Sequence, residues 1–123
     1  MKLVDTSIWI DHFHAAEPAL VDLLEMHEVA CHPMVIGELA LGSLRDRETT
    51  LELLANLPAT SIAEHDEVMK LVSARELYGR GLGLVDAHLL ASTLMTPGAR
   101  IWTRDKRLRV AADELGVGWH SRR

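Results

Sequence analysis

Lys2-Leu3-Val4-Asp5-Thr6-Ser7-Ile8-Trp9-Ile10-Asp11 reads as a short buried strand, an acid at its carboxyl end, and the opening of a helix. Arg100-Ile101-Trp102-Thr103-Arg104-Asp105 repeats the arrangement near the other end of the chain. Further strands are expected at Val29–Cys31, Thr60–Ala63 and Val117–Trp119. Between them fall helices beginning near Ile8, Pro18, Pro33, Arg45, Glu64, Val85 and Asp105, with Pro18 and Pro33 suited to helix starts. Ala87, Leu90, Ala91 and Leu94 follow the spacing of one helix face. The segment from Glu64 predicts an amphipathic helix to Tyr78, where Gly79, Gly81 and Gly83 break the chain. Strands alternating with helices predict an α/β fold, a parallel sheet with helices on both faces. Ligands of such sheets sit beyond the carboxyl ends of the strands, where Asp5 and Asp105 lie.

Two more acids stand in apolar surroundings. Glu38 is the lone charge of the helix opened by Pro33, which is apolar almost all round and therefore expected to be buried. Asp86 lies within Leu82-Gly83-Leu84-Val85-Asp86-Ala87-His88-Leu89-Leu90-Ala91. A carboxylate in such surroundings needs a partner or a metal. Taken singly, helix capping explains Asp5 or Asp105 well. Four acids together suit a hard divalent cation such as Mg2+, which takes oxygen ligands and pairs with phosphate. Ser7 and Thr103 are candidate supports for Asp5 and Asp105, although capping explains either as well. Asp11 reads as solvated, and His88 as a packing or interface residue. His12 and His14 lie two residues apart, on different helix faces, and no companion zinc motif is present.

The 123 residues and 48% apolar content suit one domain with one core. Cys31 is the only cysteine, so no internal disulfide forms and a cytoplasmic location is expected. No membrane span or export signal is read. The net charge of −5 hides an uneven distribution. Residues 1–69 hold three basic and thirteen acidic side chains; residues 70–123 hold ten and five. The second half can thus face a polyanion. Arg104, Lys106, Arg107 and Arg109 cluster around Asp105, with Arg104 and Lys106 the first candidates for phosphate contact. Aromatic residues are too scarce for extensive base stacking.

Asp5-Thr6-Ser7-Ile8-Trp9-Ile10-Asp11, Val35-Ile36-Gly37-Glu38-Leu39, Val85-Asp86-Ala87-His88-Leu89-Leu90-Ala91 and Trp102-Thr103-Arg104-Asp105-Lys106-Arg107-Leu108 together resemble the PIN domain, and more narrowly VapC-type toxins of type II toxin–antitoxin systems. The resemblance spans residues 1–123 and puts the family's acidic quartet on Asp5, Glu38, Asp86 and Asp105. It implies a Mg2+- or Mn2+-dependent endoribonuclease, a cognate VapB-type antitoxin, a homodimer and a sheet order of 3-2-1-4-5. The rival expectation is a catalytically silent PIN-like module that only binds a partner. Phosphatase, P-loop and receiver-domain patterns are absent from the sequence.

Overall fold

The computed structural model describes residues 1–121. Its elements run β1 (Lys2–Val4), α1 (Thr6–His14), α2 (Pro18–Glu25), β2 (Val29–Ala30), α3 (Pro33–Ala40), α4 (Arg47–Ala55), α5 (His65–Ala74), α6 (Leu84–Met95), β3 (Arg100–Trp102) and α7 (Lys106–Glu114). Among the described residues the sheet has three strands in the order β2-β1-β3, both pairs parallel. Lys2 registers with Val29 and Arg100, so β1 is the central strand. Its Leu3 and Val4 are fully buried, as a central parallel strand requires.

The expected order 3-2-1-4-5 is therefore corrected to three strands. The segment 60–63 forms no strand, because Ser92 of α6 and Thr96 at the end of that helix take two of its amides. Ser61 N donates to Thr96 Oγ1 at 2.9 Å and Ala63 N to Ser92 Oγ at 3.2 Å. The segment 117–119 pairs with β3 only through an isolated bridge, Ile101 with Gly118. Arg100 also donates a side-chain bond to the Gly118 carbonyl.

Helix α6 is the central helix, with every residue from Ala87 to Thr93 buried. Leu89 and Leu90 join Leu3, Val4, Ile8, Leu20, Val35, Ile101 and Leu108 in the core. His32 starts α3 deep inside this core. Its Nδ1 accepts from Met34 N at 3.0 Å, which leaves Nε2 to donate to Ser92 Oγ at 3.0 Å. Helix α5 stops at Ala74, short of the expected Tyr78. Glu76 takes a left-handed φ of 53°, and the turn directs Leu77 into the core. Helix α3 is not buried all round: Val35 and Leu39 face inward, whereas Gly37, Glu38 and Leu41 are exposed. Among the described residues no helix is long and apolar enough to cross a membrane.

Candidate active site

Asp5 leaves β1 in extended backbone, and its amide donates to the Trp102 carbonyl at 2.9 Å. The sheet thus sets its position. Its side chain is 6% exposed and makes no capping bond to α1. Instead Oδ2 accepts from Ser7 Oγ at 2.8 Å and from Thr103 Oγ1 at 2.7 Å. The capping explanation therefore fails for Asp5. For Asp105 it holds in part, since Oδ1 accepts from Leu108 N at 3.0 Å and caps α7. Thr103 Oγ1 also accepts from Asp105 N at 3.0 Å, and Ser7 Oγ accepts from Arg104 N at 3.1 Å. Two hydroxyls thus join both strand-end acids in one network.

Asp86 lies in the first turn of α6, half-buried, with Oδ2 accepting from Gly83 N at 2.9 Å. Burial is the main reason its carboxyl is held above the ordinary aspartate range. The Gly83 amide opposes this, while the charges of Asp5, Asp105 and Glu38 add to it. All three acids therefore act electrostatically on Asp86. Glu38 is exposed on α3, and its Oε1 accepts from Thr6 Oγ1 at 2.7 Å. Thr6 is a support that no local sequence signal marks, because its pairing partner is thirty-two residues away.

The donor set fits a hard cation. One oxygen on each acid (Asp5 Oδ1, Glu38 Oε2, Asp86 Oδ1, Asp105 Oδ2) has no hydrogen-bond partner among the described residues. The opposite oxygen is held by the chain, so each carboxylate is oriented while remaining able to bind. No three His, Cys, Asp or Glu side chains among the described residues close on one point tightly enough to hold a bare ion.

The basic cluster divides by partner. Arg104 forms ion pairs with Asp11 and Glu17, which raise its already high pKa; Asp11 is thus engaged rather than merely solvated. Arg109 donates to His120, which contacts Asp113. Lys106 and Arg107 are exposed. His88 is buried beside the ring of His65, and His12 Nδ1 accepts from Glu17 N at 3.0 Å.

Beside Glu38 a groove of about 630 Å3 opens between α1 and the α3–α4 segment, with Ile10, Phe13, Leu39 and Leu44 among its lining residues.

Residues 2–114 match the family model described as the PIN domain. The chain is 57% identical over 117 residues to Ribonuclease VapC32 of Mycobacterium tuberculosis, spanning 95% of this chain and 94% of that one. It is 32% identical over 127 residues to Ribonuclease VapC11 of Mycobacterium tuberculosis and to VapC ribonuclease Mb1587 of Mycobacterium bovis, with 91% and 92% coverage.

Proposed function

The chain belongs to the PIN-domain family, and from that premise we propose that it is a VapC-type toxin, an endoribonuclease whose catalytic and metal-binding residues are Asp5, Glu38, Asp86 and Asp105. The whole chain, residues 1–123, is taken as one PIN domain. The observation that carries this reading is Asp86, half-buried and acted on by the other three carboxylates. Such repulsion is costly in a site with no cation and is relieved by Mg2+, or by Mn2+ in its place. When bound there by these four carboxylates, a cation would supply polarisation of a phosphoryl oxygen and a lower pKa for the attacking water. The chain supplies orientation. Ser7 and Thr103 fix Asp5, Thr6 fixes Glu38, the Gly83 amide fixes Asp86 and the Leu108 amide fixes Asp105. Lys106, exposed beside Asp105, is a candidate RNA contact.

A VapB-type antitoxin is the proposed partner, and the groove reaching Glu38 suits it. A segment lying on Ile10, Phe13 and Leu39 ends against one of the four acids and blocks substrate access. The same reading takes the protein to be cytoplasmic and homodimeric.

Antitoxin-free wild type and Asp86→Asn, incubated with total bacterial RNA in Mg2+, Mn2+ or EDTA, test the function. Discrete cleavage by wild type alone, abolished by EDTA, is expected. Absence of cleavage in either metal by folded protein would favour a silent PIN-like module that only binds a partner.

A further inference from the structure

Four carboxylates on a protein of net charge −5 repel a polyanion, so a nuclease site of this kind needs a cation where the RNA backbone passes. Four of the eight described cations of the carboxyl-terminal half are already engaged. Arg104 is held by Asp11 and Glu17, Arg80 by Glu114, Arg109 by His120, and Arg100 by the Gly118 carbonyl. Within residues 100–109 only Lys106 and Arg107 lack a hydrogen-bond or ion-pair partner among the described residues.

Arg107 differs from Lys106 in being cradled. A Cβ on Gly81 would fall 2.8 Å from Arg107 Cδ, 2.9 Å from Nε and 3.0 Å from Cζ. The guanidinium end therefore lies directly over the glycine backbone. Arg107 stands two residues beyond Asp105, and Gly81 stands two residues before Gly83, whose amide holds Asp86. The guanidinium thus spans the two segments that deliver Asp105 and Asp86. Contact with Gly81 restricts the side chain, so less rotamer freedom is lost when it binds, and its planar fork suits a phosphate's two oxygens.

We propose that Arg107, seated on Gly81 between the segments carrying Asp105 and Asp86, is the residue that binds a backbone phosphate of the RNA substrate, and that Arg104 serves as a structural clamp instead. The proposal rests on the ribonuclease reading above.

Its test uses the full antitoxin-free chain carrying Asp86→Asn, and a single-stranded oligoribonucleotide spanning a site that wild type cleaves. If wild type cleaves nothing, the ribonuclease reading itself fails. Given cleavage, Arg107→Ala is expected to weaken binding about tenfold and to lower the slope of log Kd against log salt by about one. Arg104→Ala is expected to leave that slope unchanged. Unchanged affinity and slope in Arg107→Ala, or the full loss appearing in Arg104→Ala instead, would overturn the assignment.

Two glycines isolate the cradle. Gly79 and Gly81 have φ of 71° and 78°, so alanine strains both backbones alike, but a Cβ on Gly79 meets nothing within 4 Å. Gly81→Ala is expected to reproduce the loss seen in Arg107→Ala, while Gly79→Ala binds as the parent does. Equal losses in both would assign the effect to backbone strain and overturn the role of the cradle.

Discussion

Asp86 keeps a carboxylate at a half-buried position near three others, at a cost to stability. Its raised pKa means that the native state retains a proton over a range where the unfolded chain has lost it. Stability therefore falls as pH rises from the ordinary aspartate range to the raised value, and stays lower above it. Asparagine can still accept from the Gly83 amide but carries no charge. In EDTA at neutral pH, Asp86→Asn is expected to melt a few degrees above wild type, and the gap should shrink below the ordinary aspartate range. Mn2+ should raise the melting temperature of wild type and not of the variant. Thr103 offers a second test at this scale. It is 5% exposed and joins Asp5 Oδ2 to Asp105 N. Thr103→Val removes both bonds and should cost about 1–3 kcal/mol in denaturant unfolding, together with most of the cleavage rate. Thr103→Ser, which keeps the hydroxyl, should recover much of both.

At the scale of elements, Arg104 ties the β3–α7 junction to α1 through Asp11 and to the α1–α2 corner through Glu17. Asp11 is half-exposed and its pair contributes little, whereas Glu17 is 16% exposed and would be left beside no cation in Arg104→Ala. A double-mutant cycle should give a larger coupling for Arg104 with Glu17 than with Asp11. The start of α3 gives a pH test. Burial chiefly, and then the neighbouring His88, depress the pKa of His32; burial and His65 depress that of His88. Below the ordinary histidine range the unfolded chain takes up protons that these native rings refuse. Stability should therefore drop as pH falls from 7.5 to 5, with a shallower slope in His32→Gln. A melting temperature flat or rising over that interval would refute this account. The same scale shows where periodicity misled. An apolar run after Pro33 suggests burial, yet Glu38 on α3 borders a groove and reaches solvent, and Leu41, which caps the helix, is 91% exposed.

The whole molecule rests on few strands and one helix. Seven consecutive buried residues run along α6, which packs on α5 and β3, and Leu89 and Leu90 have no solvent exposure. Leu90→Ala should cost about 2–5 kcal/mol in denaturant unfolding. The uneven charge, acidic through residue 69 and basic beyond it, places ten of the thirteen lysines and arginines on the half of the chain that contains Asp86 and Asp105.

The order of residues along the chain already marks the alternation of strands and helices, the strands at Lys2–Val4 and Arg100–Trp102, and the candidate acids. Apolar periodicity and isolated carboxylates are local signals, visible in one stretch of chain. Only tertiary structure decided which capping explanation survives, because that depends on whether Asp5 meets Thr103, ninety-eight residues away, or its own helix. Tertiary structure also replaced the expected strand at 60–63, since the hydroxyls of Ser92 on α6 and of Thr96 at its end take two of its amides. It alone divided the arginines. Arg104 and Arg107 look alike in sequence, and their difference lies in distant carboxylates on one side and a bare glycine on the other.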